Sequence, residues 1–289
     1  MSTCVWAAGL ISIAGCASQP PAKLFATQAA RPREIEHAGP PKSAEELLER
    51  YAKGERNFDH VALAAAPLAG QTLADASFLA AELPRADLRG AKLEGSVLEG
   101  ANLERAALDN AYLPNARLVG ARLAGASLYE AVLLASDLTS AKLGRARLDR
   151  ANMQHADLSG ADLRGATLHD IALNTAMLRD SDLSKANLSC AVLADADMEQ
   201  ADLREANLLM TDLARANLRG AKFDGARLCR AILHDAELDG ATFVGTRVGA
   251  GTKFPDGFDV MALGAIPDED SACVQPVGSL CARRSASQK

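Results

Sequence analysis

The sequence predicts a solenoid, an elongated rod that turns a corner every five residues, and three observations predict it. From about Phe58 to Val248 the chain repeats every five residues without an insertion or deletion, in blocks such as Ala86-Asp87-Leu88-Arg89-Gly90 and Ala161-Asp162-Leu163-Arg164-Gly165. At the block centres from 63 to 248, 32 of 38 residues are Leu, which makes a continuous apolar ladder. Two residues before each centre, from 76 to 246, Ala fills 29 of 35 positions, so one tiny residue accompanies each large one. A period of five matches neither a helix at 3.6 nor a strand at 2. A chain that buries two residues in five must bend at every repeat. With only 4% aromatic residues, the core has to be built from Leu and Ala.

This pattern of Ala, Asp or Asn, Leu and two variable residues resembles the pentapeptide-repeat family. The resemblance implies an all-β fold, a right-handed quadrilateral β-helix with four repeats per coil. At about 4.8 Å per coil, roughly 9–10 coils give a rod near 45 Å long. The residues agree with that geometry. Ala fits the corner of a narrow shaft, and Leu from four sides fills its centre. Gly recurs two residues after the centre (Gly90, Gly165, Gly220), where a tight turn calls for positive φ. Pro67, Pro84 and Pro114 fall at outward positions. Ile171 is the one large residue at a small-residue position, and a local bulge or widening of the shaft is expected there.

The segments before the rod follow in order. Val5 to Ala14 is an apolar run too short to span a bilayer but suited to a secretory signal. Ile13-Ala14-Gly15-Cys16 resembles a bacterial lipobox, which implies acylation of Cys16 after removal of residues 1–15 together with Cys4. No Lys or Arg precedes the run. Residues 16–42, with Gln19-Pro20-Pro21 and Gly39-Pro40-Pro41, read as a disordered tether. Ser43-Ala44-Glu45-Glu46 reads as a capping box, and Leu47, Leu48 and Tyr51 follow at helical spacing. A helix over about 44–55, in a 43–57 segment, is expected to cap the first coil of a 58–250 repeat domain.

After Val248 the count fails, with Lys253 where a centre should stand and Phe254 one residue late. Residues 251–289 are expected to form an irregular cap and tail, Phe254 and Phe258 closing the last coil against edge-to-edge stacking. Cys273 and Cys281 flank a short turn-rich loop and are expected to form a disulfide in an exported protein. Cys190 and Cys229 are not expected to pair with each other. They lie almost two coils apart, about 9 Å along the axis, against a usual Cα reach of about 7 Å.

Function has to come from the outer skin. Reading every twentieth residue gives columns. Lys142, Asp162, Asp182, Asp202 and Lys222 form one, whose stacked carboxylates are a conceivable Ca²⁺ site but are read as solvated charges. On that reading Asp162→Ala is nearly silent for folding. Another column is less polar: Tyr112, Val132, Asn152, Ala172, Val192, Asp212 and Ile232, with Leu134 beside Val132. Tyr112, Val132, Leu134, Val192 and Ile232 are therefore the candidate face for a protein contact or a dimer seam. Charge is banded along the axis: residues 111–150 carry six basic and three acidic groups, 151–212 four and eleven, and 213–248 six and four, a pattern able to orient a partner.

No catalytic, cofactor or metal site is expected. His37, His60, His155, His169 and His234 lack ligand spacing, and no Ser-His-Asp set or phosphate-cradling loop appears. A filled rod also offers no cavity for chemistry. The net charge of −6 gives no basic face for nucleic acid. The reading is a non-enzymatic lipoprotein of the cell envelope, at the outer membrane and facing the periplasm, that presents a rigid rod to an unidentified protein or to a second copy of itself. Two alternatives stay open: a DNA-mimicking topoisomerase-binding protein, as the resemblance allows, and an immunity-like inhibitor of an envelope enzyme or toxin.

Overall fold

The structure, a computed structural model, describes residues 39–269. They contain one α-helix, α1 (Ala44–Ala52), a long run of single-residue parallel bridges, and a small cap with two short parallel strands, β1 (Arg247–Val248) and β2 (Ile266–Pro267).

Bridges join each residue one before a centre to the residue twenty later, from Asn57↔Ser77 through Arg227↔Arg247. Four five-residue repeats therefore complete one turn, and about ten rungs stack at roughly 4.8 Å. The backbone accounting of one repeat explains its residue pattern. Ala161 N–H closes a turn onto Leu158 O at 3.0 Å, Asp162 N–H reaches back a rung to Ala141 O at 2.9 Å, and Leu163 and Gly165 donate forward to Asp182 O and Ser184 O at 2.7 and 2.9 Å. The fifth donor, Arg164 N–H, points into the turn and is taken by Asp162 Oδ1 at 3.2 Å. The same side-chain closure recurs at Asp87, Asn102, Asp137, Asp182 and Asp202. Where an acidic or amide residue stands before the centre, it thus supplies the acceptor that the turn lacks.

The residue two after each centre has φ near +60°, whether it is Gly (Gly165, +62°) or not (Arg145, +57°; Cys190, +62°). The turn demands this conformation, and Gly meets it without the Cβ penalty. The prolines fit the same accounting. Pro84 and Pro114 hold the first turn position, where Pro is favoured. Pro67 sits in the first coil, where the donor it lacks has no earlier rung to reach.

Inside, the centres and the small residues are almost wholly buried in one cluster from Ala44 to Ala265. Where Ser or Thr replaces Ala, the hydroxyl bonds a nearby centre's carbonyl: Ser96 to Leu93 O, Ser181 to Leu178 O, and Thr211 to Leu188 O, at 2.7–2.8 Å. Of the two outcomes expected at Ile171, the bulge is absent and a slight widening is present. Ile171 is fully buried, the bridges Asn152↔Ala172 and Ala172↔Val192 hold register, and only the turn bond onto Leu168 O lengthens, to 3.4 Å against 3.0 Å at Ala166. The shaft absorbs the extra carbons by a small local opening.

Aromatics close both ends. At the start, α1 carries Ser43 as N-cap, accepting from Glu46 N–H, and buries Leu47 with Leu48 and Tyr51 against the first coils. The helix stops at Ala52, short of the expected 55, because Gly54 turns the chain at φ +99° toward the first rung. Tyr51, Phe58 and Phe78 stack at 6.4 and 5.6 Å between centroids, while Arg50 grips Glu55 through two bonds of 2.7 and 2.8 Å. At the other end the bridge Ile232↔Lys253 spans one residue more than twenty, so Phe254 moves into the centre position. Phe254 and Phe258 meet Phe243 edge-on, and Phe243 stacks on Phe223 at 4.9 Å. Beyond them β2 pairs with β1 and extends the ladder by one short strand.

Candidate interaction surface

The twenty-residue turn decides what shares a face. Tyr112, Val132, Asn152, Ala172, Val192, Asp212 and Ile232 lie in one unbroken chain of bridges, so the apolar column is a real stripe one residue wide. Tyr112 is 42% exposed, and Val132, Leu134, Val192 and Ile232 are half-buried. Half-burial follows from stacking, since each side chain lies against those one rung above and below. The stripe is therefore a stiff, gently apolar edge with Tyr112 as its most prominent group.

The acidic column is engaged, which corrects the reading of its carboxylates as solvated. Asp162, Asp182 and Asp202 do stack in successive rungs. However, Arg164 grips Asp162 by bonds of 2.8 and 2.7 Å, and Arg204 holds Asp202 in the same way. The guanidinium bond is the main cause holding the Asp162 and Asp202 carboxyls below the ordinary carboxylate range, and the backbone N–H adds to it. Asp162 thus accepts bonds from the turn N–H and from Arg164, so Asp162→Ala is expected to cost stability. Among the described residues no group of three or more His, Cys, Asp or Glu is arranged to hold a metal ion.

Other arginines bridge rungs. Arg215 reaches back to Asp195 at 2.6 and 2.7 Å, Arg150 pairs with Glu130 at 2.5 Å, and Arg219 pairs with Glu237 at 2.9 Å. Much of the banded charge is therefore satisfied within the rod. The histidines take part in the same small surface contacts: His169 with Ser189 at 2.9 Å, His155 with Thr175 at 2.6 Å, and His234 beside Asp235 at 3.2 Å. A shallow groove lined by Ala64, Ala65, Pro84, Arg85, Glu104 and Arg105 opens where two small residues leave a corner bare.

Cys16, Cys273 and Cys281 lie outside the described residues. Cys190 and Cys229, by contrast, are buried and each is disulfide-bonded. Cys229 packs with Leu209 and Met210 in an apolar corner that reading the candidate face alone overlooked. The signal was available: positions 189, 209 and 229 are twenty apart, and turn positions elsewhere are mostly polar.

Against known proteins, the family profile described as pentapeptide repeats matches in 8 copies over residues 63–100, 101–133, 133–170, 176–208 and 211–248. No curated protein matches the chain. Among solved structures, HetL, a protein involved in heterocyst differentiation regulation in the cyanobacterium Nostoc sp. strain PCC 7120, is 34% identical, covering 70% of this chain and 92% of its own at a TM-score of 0.33. QnrB1, a plasmid-mediated fluoroquinolone resistance protein, is 19% identical over 66% of this chain and 91% of its own, with a TM-score of 0.41. A thylakoid-lumen protein of Arabidopsis thaliana is 21% identical over 38% of this chain and 60% of its own, with a TM-score of 0.24.

Proposed function

The chain belongs to the pentapeptide-repeat family, and from that premise we propose that it is a non-enzymatic, lipid-anchored protein of the cell envelope. In this reading Cys16 carries the lipid at the outer membrane, residues 17–42 are the tether, and the rod stands in the periplasm facing a protein partner. The partner docks on the stripe of Tyr112, Val132, Leu134, Val192 and Ile232. The observation that carries the reading is the register of that stripe on a shaft whose interior is filled, which leaves the skin as the place for recognition. Its stiffness favours binding, since little conformational freedom is lost on docking. DNA mimicry draws less support, since arginines pair with much of the acidic band.

Two measurements test the proposal. Labelling with radioactive palmitate should mark the wild type and not Cys16→Ser; an unlabelled wild type removes the anchor. A photo-crosslinking residue placed at 132 or 192 in the full-length protein should trap one discrete partner, or a second copy, and the adduct should fade in Tyr112→Glu. Absence of any adduct from both positions removes the stripe as the contact.

A further inference from the structure

The stripe runs through a part of the rod that carries almost no charge. Residues 111–115, 131–135, 151–155, 171–175 and 191–194 contain no Asp, Glu, Lys or Arg, although such residues make up 24% of the chain. Five successive rungs on one side therefore cost little to strip of water. Two residues before the stripe, Arg150 lies 2.5 Å from Glu130 and 3.8 Å from Asp170, so charges along that edge are paired within the rod.

Charge returns on the stripe at both ends of this stretch, and with opposite sign. Lys92 stands one rung before Tyr112, and Asp212 one rung after Val192, in the same unbroken chain of bridges. Each is three rungs from Asn152. Lys92 and Glu94 are exposed, and among the described residues no ion pair within the rod engages either. Asp212 fixes one carboxylate oxygen on Ala214 N–H at 3.2 Å and has the other to offer. Arg215, also exposed, binds Asp195 through Nε and one terminal nitrogen and has its second terminal nitrogen to offer.

A stripe with a cation at one end, an anion at the other and an uncharged middle fits its own reverse. Laid antiparallel about a two-fold axis through the rung of Asn152, two rods set each column against itself reversed. Lys92 then meets Asp212 of the second copy, twice per dimer. Tyr112, 42% exposed, meets half-buried Val192, and Val132 meets the smaller Ala172. Glu94 comes beside Arg215 of the second copy. Laid parallel on the stripe, the rods would bring Lys92 against Lys92 and Asp212 against Asp212, and like charges placed opposite each other repel.

We propose that this face is the seam of an antiparallel homodimer, the partner on the stripe being a second copy of this chain. The inference rests on the stripe as the docking face and names its occupant. Six steps of roughly 4.8 Å separate the charged ends, so the seam is about 29 Å long. One side of a rod over that length is at the small end for a specific interface, and the dimer is reversible. Its charged ends set the register, and its uncharged middle supplies the contact area.

Sedimentation velocity of the full-length protein, at concentrations up to about 100 μM, tests the seam. The wild type should pass from monomer to dimer, and Lys92→Asp and Asp212→Lys should each raise the dissociation constant about tenfold. Lys142 and Lys222 hold the position equivalent to 212 on another side, so Lys there suits the fold. The double variant Lys92→Asp, Asp212→Lys exchanges the two charges and should return the wild-type constant. A double variant as weak as either single one overturns the antiparallel seam, and so does a dimer indifferent to both single changes. A wild type that stays monomeric throughout overturns the second copy as occupant. A different protein trapped from position 132 would then leave the docking face itself standing.

Discussion

Leu163 and Gly165 sit two residues apart, yet opposite physics holds them. Leu163 is fully buried and is specified by its side chain, which fills a quarter of one shaft layer. Gly165 is exposed and is specified by its backbone, which turns at φ +62°. The contrast repeats along the rod. Inside, volume and apolarity decide; outside, the requirement is a turn with its donors satisfied, and the side chain is left open for recognition.

Four substitutions sharpen that contrast. Leu163→Asp should have the largest effect, a loss of more than about 4 kcal/mol through an unpaired buried charge, seen as aggregation or collapse of the urea midpoint. If that variant fails to fold, Leu163→Ala should still fold and lose about 2–5 kcal/mol. Next comes Asp162→Ala, which strips the acceptor from Arg164 N–H and should cost about 1 kcal/mol in chemical denaturation. A cost below the error of the measurement would return Asp162 to the role of a solvated charge.

Acid should erode the same bonds. The Asp162 and Asp202 carboxyls titrate lower in the folded rod than in the unfolded chain. Their contribution is therefore complete above the unfolded value, about 3.9, and is lost as pH falls through the folded one. Thermal melts of the wild type should drop below about pH 4 more steeply than those of an Asp162→Asn, Asp202→Asn variant. The smallest effect runs the other way. Arg145→Gly removes a Cβ from a left-handed turn and should raise stability by up to about 1 kcal/mol, whereas Arg145→Val should lower it.

Much of this was legible in the sequence. The Leu and Ala ladders gave the shaft, its length and the positions of its columns, since a strict period of five leaves one register. Phe254 and Phe258 announced the end of the rod. What the columns alone did not reveal was the bonding within them. Asp162 looks like a surface charge until the turn places Arg164 N–H against it. Ile171 looks too large for its site until the shaft is seen to open slightly around it.

The sequence by itself determined the repeating local geometry, because each block carries its own corner, centre and turn acceptor. Tertiary structure alone decided which arginine meets which carboxylate across rungs, how each end is closed, and which turn residues are covered. Those outcomes depend on residues far apart in the chain meeting in space, and no five-residue pattern encodes such a meeting.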